Sequence, residues 1–269
     1  MAPLLRVESL TVRYAPRRLG GAGGGVTALD AVSLSVALGT TLAVVGASGS
    51  GKSTLAHCLA CLERPTSGSL RLEDRELSTL GEAELRGVRR QLQLVFQDSA
   101  TALNPRLTAG EIVCEPFVVQ KMLSRGERSS RARRLFERVG LPFSLAERAA
   151  GELSGGQKQR LAVARALALE PRLLILDEAL SAVDASVRAQ IANLLVELQR
   201  AAGFACVYIT HDLAMAALVS DEIAVLESGR LVEQGAAEQV LRRPMHEATR
   251  ALLEAVPRWD RQPGHEAKR

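Results

Sequence analysis

The stretch GASGSGKST at residues 46–54, set directly behind the apolar run Thr41 to Val45, constrains the fold of this chain more than any other feature. It fits the pattern G-x-x-x-x-G-K-[ST] through Gly46, Gly51, Lys52 and Ser53, with a short buried strand expected before it and a helix after it. Gly46, Gly49 and Gly51 let the backbone turn sharply and aim unhindered N–H groups, with Ser48 among them, at an anion. The helix beginning near Lys52 adds the positive end of its dipole; Lys52 can reach β- and γ-phosphates, and the Ser53 hydroxyl suits Mg2+. Thr54 is a neighbouring hydroxyl. A short pattern alone also fits a glycine-rich turn of no function, so its context has to decide.

Composition permits a packed core: 269 residues with 47% hydrophobic content form one large domain or two small ones. The 34 Lys and Arg against 30 Asp and Glu give +4, spread along the chain, so nucleic acid is permitted but not demanded. No run of eighteen apolar residues occurs, and MAPLLRVESLTVRY turns polar too early for a signal peptide. A soluble, cytoplasmic protein is expected. Four cysteines, at 58, 61, 114 and 206, do not make a disulfide framework. Cys58-x-x-Cys61 falls inside the helix after the phosphate loop, where Leu55, Cys58, Leu59 and Leu62 trace a buried stripe; core packing is favoured over metal or redox use.

Residues 4–14 and 32–45 read as strand-rich, with the glycine run 20–25 as a loop between them. A turn is expected at 65–69, a strand at 70–72, a charged helix near 79–90 and a strand at 92–96. From Gln97 to about Gly151 the pattern becomes helical, interrupted by Pro105, Pro116 and Pro142, as for a helical subdomain inserted in an α/β core. A helix near 155–169, the buried strand LLIL at 173–176, an amphipathic helix through Val187, Ile191, Leu194, Leu195 and Leu198, and the strand ACVYIT at 205–210 follow. This alternation predicts a mainly parallel sheet. A strand pair at 222–235 turns at Ser-Gly-Arg, and the tail from about 236 is helical, then charged.

LLIL runs into Asp177 and Glu178, at the strand end that borders the ligand crevice of a parallel sheet. Asp177 is suited to Mg2+, directly or through water, and Glu178 to polarising an attacking water in phosphoryl transfer. Read alone, the pair also fits a helix cap. The Arg-rich stretch RGERSSRARRLFER at 125–138 has helical spacing and few aromatics near it, which fits a solvated face better than a nucleic-acid surface.

These motifs together resemble the ATP-binding subunits of ABC transporters. LSGGQ at Leu153 to Gln157 is similar to the family signature, which separates this family from other phosphate-loop ATPases. Tyr14 stands where the family has an aromatic that stacks on adenine; Gln97 matches the Q-loop glutamine, a catalytic and metal-holding position; SAVD at 181–184 matches the D-loop through Asp184; His211 matches the switch histidine. Alone, His211 would more often be a satisfied structural histidine. Ala179-Leu180 replaces the family's usual proline-containing pair, and Val183 stands where leucine is usual.

The resemblance implies a phosphate-loop NTPase core with a mainly parallel sheet, an N-terminal antiparallel β-subdomain and an inserted helical subdomain at about 97–156. The ATPase domain would span 1–235, with a C-terminal extension at 236–269. It also implies Mg2+ and ATP clamped between two head-to-tail protomers, with Ser154, Gly155, Gly156 and Gln157 completing the partner's site. VFQDSATALNPRLT at 95–108 and RRPMHEATRALLEAVP at 242–257 resemble importers of dipeptides, oligopeptides and nickel; the lack of any cysteine after Cys206 tilts the expectation mildly toward nickel or metal chelates. The implied partners are two transmembrane permeases, a homologous ATPase in a homo- or heterodimer and, indirectly, an extracytoplasmic solute-binding protein, with no nucleic acid. The implied location is the cytoplasmic face of the inner membrane. Two other readings stand beside the importer motor: a non-transport ABC ATPase such as a phosphonate-lyase accessory subunit, and a module that holds ATP without turnover.

Overall fold

The computed structural model describes residues 3–15, 25–96, 102–179 and 184–255. Among the described residues, ten strands form two sheets. Strands β1 (Leu5–Tyr14), β2 (Val26–Val36), β4 (Ser67–Leu72) and β5 (Arg75–Glu76) make an antiparallel sheet in the order β2-β1-β4-β5. The central sheet contains β3 (Thr41–Val45), β6 (Leu92–Val95), β7 (Leu173–Asp177), β8 (Ala205–Thr210), β9 (Glu222–Glu227) and β10 (Arg230–Ala236). Its order is β10-β9-β3-β8-β7-β6, parallel throughout except for the β9–β10 hairpin.

Strands β3, β7 and β8 are buried at every position, because elements cover both faces of this sheet. Alternate side chains serve different cores. Leu42, Leu173, Ile175 and Val207 pack toward the antiparallel sheet, whereas Leu174, Leu176, Cys206 and Tyr208 pack toward the helical segment. Ala43 and Val45 join Ala237 and Val240 on the side of the C-terminal helices. Each fully buried Leu or Ile contributes about 1.5–3 kcal/mol of apolar transfer, so the sheet is a rigid base for the loops at its ends.

The α-helices with bounds among the described residues are α1 (Lys52–Leu59), α2 (Glu82–Val88), α3 (Ala109–Val119), α4 (Arg125–Arg138), α5 (Gly155–Leu167), α6 (Ala185–Ala202), α7 (Leu213–Val219), α8 (Ala237–Arg242) and α9 (Glu247–Glu254). Helices α3, α4 and α5 share one core through Ile112, Phe117, Leu135, Phe136 and Leu161. Thr108, Ser124 and Ser154 begin these helices with capping boxes closed by Glu111, Glu127 and Gln157.

Four expectations are corrected. Pro116 does not interrupt the helical pattern; it lies inside α3, where burial of Ile112, Val113 and Phe117 outweighs the missing hydrogen bond. Leu62 leaves the buried stripe of α1 because the helix stops at Leu59 and Cys61 turns left-handed (φ 55°), so Leu62 is 52% exposed. The expected turn at 65–69 is already strand from Ser67, paired with Thr11 of β1. The positive charge is not evenly spread: the six arginines and two glutamates of α4 carry a net +4, equal to the formal charge of the whole chain.

Candidate functional site

The strand order determines the site. Because β3, β8 and β7 are hydrogen-bonded neighbours and all parallel, the segments leaving their C-terminal ends emerge side by side: the phosphate loop, the turn bearing His211, and Asp177-Glu178. Strand β6 adjoins β7 at the same edge and runs toward Gln97, which lies outside the described residues, as do Leu180 to Val183.

The phosphate loop is closed by its own hydrogen bonds. Ser50 N–H donates to the Ala47 carbonyl at 3.2 Å, and the Ser50 carbonyl accepts from Gly229 N–H at 3.0 Å, which fastens the loop to the β9–β10 turn. Gly51 starts α1 at φ 101°, a conformation open to glycine, and a Cβ there would lie 2.4 Å from the Ala28 carbonyl oxygen. Gly46 is buried, while Ala47, Ser48 and Gly49 are exposed at the rim. Lys52 is only 5% exposed and its Nζ donates to the carbonyls of Gly46 at 2.9 Å and Ala47 at 2.8 Å, so the ammonium is held under the loop. Burial pushes its pKa down, and the carboxylates of Glu178 and Asp177 oppose that shift.

Ser53 Oγ donates to Asp177 Oδ1 at 3.3 Å, joining helix α1 to the end of β7. Burial raises the Asp177 pKa against the opposing Ser53 hydrogen bond and the nearby His57. A hydroxyl and a carboxylate so placed are hard oxygen donors of the type Mg2+ takes, so the residues fit that ion. Glu178 adopts φ 45° with its N–H on the Ile209 carbonyl at 3.0 Å, a left-handed conformation uncommon for a residue with a long side chain. Its Oε1 lies 3.4 Å from His211 Nδ1; the glutamate side chain is 17% exposed and the imidazole 58%. Thus Lys52, Ser53, Asp177, Glu178 and His211 converge on one edge.

Tyr14 ends β1, 43% exposed, with its hydroxyl 3.5 Å from Thr54 Oγ1; burial of the phenol raises its pKa. Ser154 caps α5 on the helical segment: Gln157 N–H donates to Ser154 Oγ at 3.3 Å, and Ser154 N–H donates to Gln157 Oε1 at 2.9 Å. These bonds close within their own turn. Gly156 packs so tightly on α6 that a Cβ would lie 2.7 Å from Val187 Cγ1. Asp184 caps α6, accepting from Val187 N–H and the Ser186 hydroxyl at 3.0 Å each, and these bonds lower its pKa. Sequence reasoning passed over Asp212, which caps α7, and Arg188, which binds it. The Asp-Leu-Ala-Met run is a legible cap signal for the first; nothing local marks the second.

Residues 29–181, spanning the loop, the acidic pair and LSGGQ, match the family model described as ABC transporter. The chain belongs to the ABC transporter family. Within it, the chain is 47% identical over 257 residues to a probable peptide ABC transporter ATP-binding protein of Sinorhizobium fredii, covering 94% of this chain and 72% of that one. A putative peptide import ATP-binding protein of Brucella ovis is 41% identical over 258 residues, covering 96% and 80%. The oligopeptide transport ATP-binding protein OppD of Mycobacterium tuberculosis is 44% identical over 237 residues, covering 88% of this chain and 39% of that longer one. Among solved structures, the ATP-binding cassette MJ0796, dimeric in a post-hydrolysis state with ADP and Pi, superposes with TM-score 0.76 at 31% identity over 87% of this chain and 98% of that one. The chain cbiO1 from Clostridium perfringens gives TM-score 0.77 at 28% identity, covering 89% and 91%. As an ABC ATPase the chain binds and hydrolyses ATP. Among the described residues, no helix is long and apolar enough to cross a membrane.

Proposed function

We propose that this chain is the ATP-hydrolysing subunit of a peptide importer, peripheral to the cytoplasmic face of a membrane, working with two permeases and a second ATPase protomer. The observation that carries the chemistry is the convergence of a buried lysine, a Ser–Asp pair and a Glu–His pair at one edge of a parallel sheet. The names of the relatives above speak for peptides; nickel and metal chelates gain no support from them.

In this reading the loop N–H groups from Gly46 to Ser53, with Ser48 and Gly49 at the rim, hold phosphate oxygens, and Thr54 and Tyr14 border the base end. Lys52 leaves the Gly46 and Ala47 carbonyls for the β- and γ-phosphates; its buried charge, already destabilised by desolvation, gains most from an anionic partner. Ser53 and Asp177, with Gln97, would hold Mg2+, which supplies charge neutralisation of the phosphates. Glu178, fixed by its backbone bond to Ile209, orients the attacking water and takes up its proton, and His211 contacts the γ-phosphate. Ser154, Gly155, Gly156 and Gln157 offer the N-terminus of α5 to the nucleotide of the facing protomer, with Asp184 at the same junction.

A phosphate-release assay on the purified chain tests this. Glu178→Gln keeps ATP binding, loses turnover by about 10²- to 10⁴-fold and accumulates a nucleotide-bound dimer. Normal turnover by that variant overturns the role of Glu178. Isolation of the native complex tests the importer: permeases in detergent support it, and soluble lyase subunits in their place overturn it.

A further inference from the structure

Asp212, next to His211, uses its whole carboxylate. Oδ1 accepts from the N–H groups of Ala214 at 3.0 Å and Met215 at 3.1 Å, and Oδ2 accepts from Arg188 Nη1 at 3.1 Å. Its own N–H donates to Thr210 Oγ1 at 3.0 Å. The turn bearing His211 is thereby held by its own helix cap and by a lateral tie from α6. Both partners of that tie are about three-quarters buried, with side chains 27% and 28% exposed, where a charged hydrogen bond is stronger than on an open surface.

Arg188 stands one residue after Val187, in the first turn of α6. Asp184 caps that turn through Val187 N–H, and Val187 packs on Gly156. A single helical turn therefore touches both the start of α5 and the turn of His211.

We propose that Arg188 is a positioning residue: through Asp212 it fixes the turn from which His211 meets Glu178, and through the shared helical turn it registers His211 against Gly156. This rests on the reading of His211 as the γ-phosphate contact. A neutral side chain at 188 leaves Asp212 its backbone bonds to α7 but removes the sideways restraint. The 58% exposed imidazole, 3.4 Å from Glu178, then has room to swing away. The phosphate loop, built from β3 and α1, keeps its own geometry, so binding and turnover separate.

The test uses the purified full chain and four variants: Arg188→Gln, Arg188→Lys, His211→Ala and the double variant Arg188→Gln/His211→Ala. Nucleotide affinity is read with a fluorescent ATP analogue, turnover by phosphate release, and the histidine rings by carbon–proton NMR. Arg188→Gln is expected to lower kcat about tenfold, the size of a typical short-range coupling, with affinity within about twofold and a melting temperature lowered by only about 3–6 °C. Arg188→Lys, which keeps the charge, recovers most of kcat. The His211 ring signal moves in Arg188→Gln while those of His57 and His246 stay, and in the His211→Ala background the Arg188 change adds no further loss.

Wild-type kcat in Arg188→Gln overturns the proposal where His211→Ala is impaired. So does a matching fall in affinity, stability and kcat with no rescue by lysine, or a loss that adds in full to that of His211→Ala. If His211→Ala itself turns over at full speed, the reading of His211 fails, and the His211 ring signal decides the tie separately: a signal unmoved by Arg188→Gln overturns it.

Discussion

Gly156→Ala is a sharp test of the packing between α5 and α6. The added methyl would sit 2.7 Å from Val187 Cγ1, against an optimal carbon–carbon separation of about 3.5–4.0 Å, so α5 or Val187 must yield by about 1 Å. Overpacking of this kind costs about 1–3 kcal/mol. Alanine for glycine in a helix returns up to about 1 kcal/mol, and less at the second residue of α5. The clash wins, leaving a net loss of about 1 kcal/mol, which lowers Tm by roughly 3 °C in a chain of this size. Catalysis suffers more than stability if, as proposed, the displaced turn serves the nucleotide of a facing protomer: an error of about 1 Å can cost about 10²-fold. Differential scanning calorimetry and phosphate release measure the two effects. Val187→Ala removes the colliding methyl groups, so Gly156→Ala/Val187→Ala should recover most of the loss relative to Val187→Ala alone. If Gly156→Ala melts at or above wild type with normal turnover, or costs as much in the Val187→Ala background as in the wild-type chain, the close approach has been misjudged.

Lys52→Ala should abolish detectable ATP binding by equilibrium titration and lower Tm by a few degrees without nucleotide, since the Gly46 and Ala47 carbonyls lose their donor under the loop. Glu76 is pushed to about 2: burial alone would raise it, but hydrogen bonds from Ser69, Ser78 and the Leu70 and Ser78 N–H groups outweigh that. A carboxylate depressed in the folded chain contributes stability above its ordinary value of 4.5 and loses that contribution as pH falls toward 2. Glu76→Gln should therefore destabilise by at most about 3 kcal/mol at pH 7, with the gap to wild type in urea unfolding closing below about pH 4. Cys58 and Cys206 are pushed up to about 12 and Cys61 to about 11 by burial, so a thiol reagent at about pH 8 should modify none of them in the native chain; rapid labelling of Cys58 or Cys61 would contradict the packed arrangement.

The parts of the site legible in the sequence were those written locally. GASGSGKST carries its own turn, charge and helix start, and LLILDE carries its buried strand and acidic end, so both could be placed without knowledge of any neighbour. The order β3-β8-β7-β6 was not written in any one segment, and only that order brings Asp177 beside Ser53 and His211 beside Glu178. Contacts such as Val187 on Gly156 and Arg188 on Asp212 join residues dozens of positions apart with ordinary side chains, and leave no periodic trace. Proline rules misjudged Pro116 for the opposite reason: a local preference lost to burial of the surrounding helix face.

The hydrogen-bonded ladder β3-β8-β7 also works as a ruler. Adjacent strands lie about 4.8 Å apart, so the three segments that leave their ends are the teeth of a comb spanning about 10 Å. That pitch cannot be retuned without breaking backbone bonds. One residue inserted into 41–45, 173–177 or 205–210 would invert every side chain beyond it, whereas changes just past those strand ends move one tooth tip and spare the comb.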